Sequence, residues 1–362
     1  MSLKKVGKVW SFRISAGIDK RTGKRKQIYR SGFKTKREAE IAMNELKAQV
    51  DSGNYFEPST IPFQEFIHNW LLGTYIHEVQ ISTFETAETA VRVHLIPYFK
   101  ETPLHQITAY DIDQFYAEKI RDGMENATIR KIHNFLSKAL QKAVQWELIK
   151  ANPAKNATPP TVHKKRNEVW TVEEAKAFLE VCQKHGEAIP FLLALFTGMR
   201  RGEILALRWK NVDLNSGVIY VEESLTRSRT KGIIVKEVKT AHSNREVYLS
   251  SSLKEALVQH KEKQLNNELD LVVTSRNGKY LDPRNLLRKY KRFIEEANVP
   301  YIPFHNLRHT HATILMRMGE NPKVVSERLG HARVGITLDI YSHTNQEMQR
   351  RSADRFDKNF WN

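Results

Sequence analysis

The chain has 362 residues, 40% of them hydrophobic, with one cysteine and a formal net charge of +17. That length exceeds one ordinary domain and predicts two or three. The lone Cys182 excludes an internal disulfide and any cysteine-rich zinc module, and the lack of a long apolar run excludes a helical membrane span.

The first stretch, "MSLKKVGKVW", has no apolar core of the signal-peptide kind, so the expectation is a soluble intracellular protein with no membrane partner. Charge is concentrated at the same end. Residues 1–50 hold fourteen Lys and Arg against four Asp and Glu, an electrostatic footprint for a polyanion. A solvated basic tail would lack structural patterning, and this segment has it. Trp10, Phe12 and Ile14 alternate with Ser11 and Arg13, the period-two signature of a half-buried strand. Thr22-Gly23 supplies a turn, and "KQIYRSGF" reads as a second β segment. Thr35 and Glu38 then form a capping box that opens a helix. Its stripe of Ala39, Ala42, Met43, Leu46 and Val50 runs to a stop at Gly53. Arg13, Lys20, Arg21, Lys24, Lys26 and Arg30 cluster near the sheet and its turn, a shape suited to a DNA groove.

Residues 60–155 change to helical spacing. Phe63, Phe66, Ile67, Trp70 and Leu71 form one apolar stripe. Ser82-x-x-Glu85 reads as the cap of a second helix that Pro97 ends, "ITAYDIDQFYAEKI" gives a third, and Asn126 opens a long fourth. Ile129, Ile132, Leu136, Leu140, Ala143 and Val144 mark the buried face of that fourth helix, and "NPAKNATPP" reads as a linker after it. The aromatics of this segment are expected in its core.

A third unit begins near Arg166, with a capping box at Thr171-x-x-Glu174 and an apolar helix, "AIPFLLALF", running into "TGMRRGE" and "ILALRW". Three β-like runs follow, "GVIYVEE", "GIIVKEVKT" and "REVYLS". Beyond them the pattern is helical, with Pro283 and Pro322 in first turns after Asp282 and Asn321.

Four stretches of this unit place polar residues where packing alone would not ask for them. "TGMRRGE" puts Arg200 at a glycine-flanked break, and "VKTAHSNREVYL" puts Lys239 near a strand end. "HNLRHTH" puts His305 and Arg308 on one helical face, and "LGHARVGITLDIYSH" puts His331 after a helix stop with Tyr341 ten residues on. His305 and His309 are also four apart, the spacing of a zinc pair on a helix. Arg308 on the same face would repel a dication and favours a phosphate, leaving His309 and His311 structural or peripheral. Loss of activity to a chelator with rescue by zinc is the result that would favour the metal.

Taken together and in this order, the four stretches resemble the tyrosine recombinase family, of the lambda-integrase type. The resemblance covers the whole third unit, and the two preceding segments resemble the arm-binding and core-binding domains of phage and conjugative-transposon integrases. It implies a multidomain α+β chain. Residues 1–55 would be a three-stranded sheet plus helix that binds arm-type DNA, residues 60–155 an all-α core-binding domain, and residues 165–362 a mainly α catalytic domain with a small antiparallel sheet. It further implies Arg200 and Arg308 as an arginine pair, Lys239 as the catalytic lysine, His305 as the opening of the His-x-x-Arg motif, His331 as the second histidine and Tyr341 as the nucleophile. The implied partner is double-stranded DNA at core and arm attachment sites, acted on by a homotetramer through a four-way Holliday junction, with accessory DNA-bending or directionality proteins. Neither metal nor other cofactor is implied, and the setting is the cytoplasm of a bacterial host carrying a mobile element.

The chemistry agrees with these residue types. A phosphodiester repels nucleophiles, and two permanently charged planar guanidiniums can grip its oxygens and hold the charge of the transition state. A phenol titrating near ~10 can be helped to lose its proton by a cationic site, and the resulting phosphotyrosine keeps the bond energy for resealing. The departing deoxyribose oxygen needs a proton, which a lysine can supply. Two rivals share parts of this pattern. A type IB topoisomerase uses the same tyrosine chemistry, and a non-catalytic DNA-binding regulator would use the same basic surface. Of the neighbouring residues, Arg201 is expected to face a carboxylate or the DNA backbone, and His242 and Arg245 flank the lysine strand within reach of DNA. Phe356, Phe360 and Trp361 in the tail dock either on a neighbouring subunit or on their own domain.

Overall fold

The computed structural model describes the chain apart from residues 1, 19–24, 53–54, 57–58, 164–167, 239–243, 266, 342–349, 351–352, 355, 359 and 362. It divides into two compact units, residues 1–80 with 86–162, and residues 81–85 with 163–362.

The first unit begins with an antiparallel sheet of β1 (Ser2–Val6), β2 (Val9–Ile18) and β3 (Arg25–Phe33), joined in that order. The first of these strands was not legible, because "SLKKV" carries neither alternation nor turn residues. Alternation along β2 turns Phe12 and Ile14 onto helix α1 (Lys36–Asp51), where Ala39 completes a small core and Phe33 stacks on Phe12 at 5.5 Å. The Thr35 capping box forms as read, with the hydroxyl accepting the Glu38 N–H at 3.2 Å. Arg13 pairs across the sheet with Tyr29, whereas Arg30 pairs with Phe12. Pleating therefore puts the two arginines on opposite faces. Lys26 lies in β3 by its backbone, while Lys20, Arg21, Lys24 and the turn at Thr22-Gly23 lie outside the described residues, as does Gly53.

Helical segments complete this unit. Helix α2 (Phe63–Trp70) passes through a π-helical stretch, Leu71–Tyr75, into the short α3 (Ile76–Glu78). Helix α4 (Ile81–Ala90), whose residues 81–85 are counted with the second unit, does the same through Val91–Leu95 into α5 (Ile96–Phe99). Helices α6 (Ala109–Arg121) and α7 (Asn126–Gln145) follow. Phe63, Phe66, Trp70, Phe99 and Phe115 are buried as expected, whereas Tyr110 and Trp146 of the same segment are exposed.

Three local expectations are corrected. Ser82 lies inside α4 rather than capping it, because Glu85 accepts instead from the Ser228 hydroxyl at 2.6 Å and the Arg229 N–H at 2.9 Å. Pro97 does not end its helix: it follows the π-helical stretch, where the Ile96 N–H reaches back five residues to the Val91 carbonyl, and the helix continues to Phe99. The chain turns at Lys100 instead, with φ +37°. Residues 152–157 are not a free linker: Asn152 donates to the Ser137 carbonyl at 2.9 Å, and Ala154 is buried.

The second unit packs α8 (Val172–Lys184), α9 (Ile189–Thr197) and α10 (Arg201–Ala206) with α11 (Ser251–Lys263), α12 (Pro283–Ala297), α13 (His305–Met318), α14 (Pro322–Leu329) and α15 (Val334–Tyr341). Trp170, Phe178, Phe191, Tyr290 and Phe293 form the centre of its core. Asp282 and Asn321 cap α12 and α14 as read, each accepting the N–H two residues on at 2.8 Å.

The expected single small sheet resolves into two. Strands β4 (Val212–Asp213), β5 (Val218–Val221) and β8 (Arg245–Tyr248) form one, and β6 (Glu223–Ser228) pairs with β7 (Gly232–Glu237) in a hairpin. β6 escaped reading because "ESLTRS" buries only Leu225 and Ser228. Between α11 and α12 the described residues are not helical either. The apolar run Leu271–Val273 lies beside Arg208, with the Val272 N–H on the Leu207 carbonyl at 2.9 Å.

Candidate active site

The site starts where α9 stops. Gly198 leaves the helix at φ +68°, and a Cβ there would come within 2.5 Å of the Leu329 side chain and 2.8 Å of the His311 ring. Glycine is thus required twice over, for the left-handed backbone and for the close approach. Two residues later, Arg200 is the N-cap of α10. Gly202 lets that short helix press on β6, since a Cβ would meet the Leu225 carbonyl at 2.5 Å.

Glu203 is the hub of the charges. It is 2% exposed and binds the Arg200 N–H at 2.9 Å, the Arg200 Nη1 at 2.8 Å and the Arg245 Nη2 at 2.8 Å. Burial alone would raise its pKa, but the Arg245 hydrogen bond and the charges of Arg245 and Arg200 outweigh it and hold the carboxyl below its ordinary value. The same arginines reach the end of α14, with Arg200 Nη2 on the Gly330 carbonyl at 3.1 Å and Arg245 Nε on the Arg328 carbonyl at 2.9 Å.

Arg308 approaches from α13. Its Nη1 donates to the Gly198 carbonyl at 2.8 Å, while its Nη2 is buried and has no partner among the described residues. The residue is 2% exposed, and the nearby Glu203 is engaged by Arg200 and Arg245 instead. Desolvation, reinforced by the charge of Arg200, pulls its pKa down to about 9. A buried cation so poorly compensated is costly to the fold and is a standing site for an anion.

Histidines line the same region. The His305 and His309 rings meet edge to face at 4.9 Å. Desolvation, followed by Arg308 and Arg200, lowers the pKa of His305 and takes His331 to about 4. His309 falls to about 4 through desolvation and then His305. All three are therefore neutral near pH 7. His311 serves the scaffold instead. Its Nδ1 pairs with the Leu195 carbonyl at 2.8 Å, and its Nε2 accepts from Arg328 at 3.2 Å, which ties α9, α13 and α14 together. Among the described residues no set of three His, Cys, Asp or Glu side chains could hold a metal ion.

A cavity of about 1010 Å³ opens on Arg200, Arg201 and His305 and is also lined by Arg227, Arg229 and Arg284, with Glu85 as the one acidic residue among its described lining. Arg201 has no hydrogen-bonded carboxylate among the described residues, contrary to one of its expected roles. Arg245 also departs from expectation: its side chain turns inward onto Glu203 rather than outward towards DNA. Of the six residues singled out from sequence, Arg200 and His305 line this cavity, and Arg308 and His331 lie close enough for their charges to act on one another and on that pair. Tyr341 ends α15 by its backbone, and its side chain lies outside the described part. Lys239 and His242 lie outside the described residues altogether. The pairing of Glu203 with Arg245 was not foreseen from sequence; the Arg-x-x-Glu spacing was the available signal for the contact of Glu203 with Arg200, and nothing local marked the one with Arg245. In the tail, Phe356, Phe360 and Trp361 are exposed, with Phe356 stacked on Phe360 at 5.4 Å and Trp361 edge to face with Phe360 at 5.1 Å, so they are not part of the core of their own unit.

A helical unit carrying paired arginines beside neutral histidines is the framework of a phosphate-directed enzyme. The chain belongs to the phage integrase family, whose model matches residues 168–348. An arm DNA-binding domain matches residues 2–50, and the SAM-like N-terminal domain of phage integrases matches residues 62–120. The chain is 29% identical to a XerC-like tyrosine recombinase of Caldanaerobacter subterraneus, over 91% of this chain and 90% of that protein. It is 28% identical to the ICEBs1 integrase of Bacillus subtilis, over 95% of each. Among solved structures, the Tn1549 transposon integrase in complex with a circular intermediate DNA superposes with TM-score 0.71 at 20% identity, covering 82% of this chain and 99% of that one. A lambda integrase tetramer bound to a Holliday junction gives TM-score 0.60 at 18% identity, over 91% and 95%. The protein is a tyrosine recombinase of the integrase type, an enzyme of site-specific recombination. Neither a type IB topoisomerase nor a non-catalytic regulator is favoured by these likenesses. Among the described residues no helix is long and apolar enough to cross a membrane.

Proposed function

We propose that the enzyme cuts DNA by attack of the Tyr341 phenol on a phosphodiester gripped by Arg200 and Arg308, and that it rejoins strands by the reverse step. The phenolic oxygen bonds to phosphorus, the bond to the 5′ oxygen breaks, and the protein is left on the 3′-phosphate. Lys239 supplies the proton that the departing 5′ oxygen needs, and the neutral His305 is suited to accept the phenol's proton. His331 donates a hydrogen bond to a phosphate oxygen. The freed 5′-hydroxyl of one strand then attacks the phosphotyrosine of its partner, so energy is conserved without a cofactor.

The observation that carries this reading is the buried Arg308 guanidinium beside Arg200, its Nη2 without a partner among the described residues. Its fixed donors are arranged before substrate arrives, which is how transition-state charge is best stabilised. The domain roles belong to the same proposal: residues 1–55 bind arm-type DNA through Arg13, Lys20, Arg21, Lys24, Lys26 and Arg30, residues 60–155 grip the core site, and residues 165–362 do the chemistry. The DNA-bound integrases among the structural neighbours, one a tetramer on a Holliday junction, support a tetramer on duplex DNA. The exposed tail aromatics offer such a tetramer an apolar contact. Accessory bending or directionality proteins, and a bacterial cytoplasm with the nucleoid as workplace, complete the picture.

The test is a duplex built from the DNA flanking the element, nicked beside the cleavage position so that the cut is trapped. The expected result is a covalent protein–DNA complex that Tyr341→Phe cannot form. Noncovalent retention alone would overturn the proposal in favour of a regulator, and supercoil relaxation by a monomer without strand exchange would overturn it in favour of a topoisomerase.

A further inference from the structure

His331 follows the glycine stop of α14, and its Nδ1 lies 2.9 Å from the Oγ1 of Thr337. Thr337 is on α15, four residues before Tyr341, and is 0% exposed. In an α-helix, residues four apart share a face, so the hydroxyl that meets His331 belongs to the same face of the same helix as the nucleophile's backbone position. Other buried threonines of this unit send their hydroxyls back to the carbonyl four residues earlier, as Thr310 does to Asn306 at 2.9 Å and Thr313 to His309 at 2.8 Å. Thr337 has no such bond among the described residues, and His331 is its one hydrogen-bond partner there.

That difference fixes the direction of the contact. A hydroxyl has one proton and can also accept, whereas the two nitrogens of a neutral imidazole divide into one donor and one acceptor. If His331 Nδ1 were the donor, the buried hydroxyl proton would be left without an acceptor among the described residues, which is destabilising. The hydroxyl therefore donates to Nδ1, and the ring's proton is on Nε2. The tautomer of a histidine is set by the bond its other nitrogen makes.

We infer that Thr337 is a positioning residue that selects the Nε2–H tautomer of His331 and so couples docking of the tyrosine helix to the phosphate-binding centre. This rests on the proposed role of His331 as a donor to the phosphate. When α15 docks, it brings the nucleophile's helix into place and turns the imidazole into a donor in the same movement. When it undocks, the tautomer is no longer chosen, and the centre loses a donor together with its nucleophile.

The experiment compares Thr337→Val, which keeps the shape and removes the hydroxyl, with Thr337→Ser, which keeps the hydroxyl. Single-turnover formation of the covalent complex is followed on the nicked duplex at saturating DNA, alongside the DNA-binding midpoint. Expected is a loss of about ten- to a hundredfold in the rate for Thr337→Val with binding unchanged, and a rate within about threefold of the parent for Thr337→Ser. In a His331→Ala background the valine substitution should add no further loss. Histidine labelled with nitrogen-15 should report Nε2–H at His331 in the parent and a mixture of tautomers in Thr337→Val. The inference is overturned by a parental rate in Thr337→Val, by a valine effect that persists undiminished in His331→Ala, or by an unchanged tautomer. Full-rate cleavage by His331→Ala overturns the catalytic reading of His331 instead, and the tautomer measurement then decides the positioning claim by itself.

Discussion

Arg308 and Arg13 are the same residue type in opposite settings. Arg308 is 2% exposed, loses much of its hydration and has one donor nitrogen with no partner among the described residues. Arg13 is exposed on a β-strand beside the Tyr29 ring, 5.8 Å from its centroid. An exposed guanidinium gives up little when it meets a phosphate and gains by releasing counterions, so its contribution is affinity that salt erodes. A buried guanidinium has already lost its water in the fold, so its donors are in place when charge develops on a reacting phosphate. The contrast separates holding DNA from cutting it, and it can be broken by exchanging the consequences of the two mutations.

The largest effect is expected at the buried arginine. Arg308→Ala should lower the rate of covalent complex formation by about 10²–10³-fold while DNA affinity stays within a few-fold of the parent. Arg200→Ala should behave alike. Equal loss of affinity and rate, measured by titration and single turnover on one substrate, would erase the distinction drawn between the two kinds of arginine.

Next comes the carboxylate that holds the centre together. Glu203→Gln leaves Arg200 and Arg245 beside a neutral amide in a dry site. Removing one partner of such a buried pair costs about 3–5 kcal/mol, to be read as a lower melting temperature. The pH dependence gives a second readout. The folded pKa of Glu203 lies below its ordinary 4.5, so its stabilisation is complete above that value and is lost as pH falls through the folded one. The parent should therefore melt progressively earlier below about pH 4.5, and the glutamine variant should lack that part of the slope.

What the sequence made legible was decided by residues near one another in the chain, and what it hid was decided by residues far apart. The capping boxes at Thr35 and Thr171, the proline-led α12 and α14 and the apolar α9 were readable because each is decided by residues a turn apart. The four converging site residues were readable because their order along the chain resembles a known family. What escaped was decided at long range. Glu203 and Arg245 are forty-two positions apart, and no periodicity announces that they share a bond. Ser82-x-x-Glu85 has the form of a cap, but Glu85 finds better donors at the turn after β6. β6 itself is polar because the α10 surface it meets is reached mainly by its backbone and Leu225, so alternation is absent from its sequence.

A smaller, pH-dependent effect sharpens the reading of "HNLRHTH". Desolvation, followed by the charge of Arg328, takes His311 to about 3, far below an unfolded histidine near ~6.5. A group depressed in this way stabilises the fold fully above the unfolded value, and that stability is lost as pH falls towards the folded one. Melting temperature should thus decline between about pH 6.5 and pH 4, and His311→Gln should flatten that decline at the expense of stability at neutral pH. An unchanged slope in the variant, followed by calorimetry across that window, would remove His311 from the structural core of the site.

The smallest effects belong to the exposed arginines, and they test the other half of the comparison. Arg13→Ala and Arg30→Ala should leave cleavage of a core-site substrate unchanged. If each contacts one phosphate, each should reduce the slope of log affinity against log salt by ~0.9 on arm-type DNA. The register argues for a difference between them. Arg13 shares the open face of the sheet with Tyr29, while Arg30 pairs with Phe12 on the side that α1 covers. A sheet that enters a groove by its open face should feel the loss of Arg13 and be nearly indifferent to Arg30. Deleting residues 1–55 should then abolish integration that depends on arm sites while sparing core cleavage. Should Arg30→Ala alter the salt slope and Arg13→Ala not, the DNA lies against the helix side or an edge of the sheet, and the surface assigned to arm binding must be redrawn.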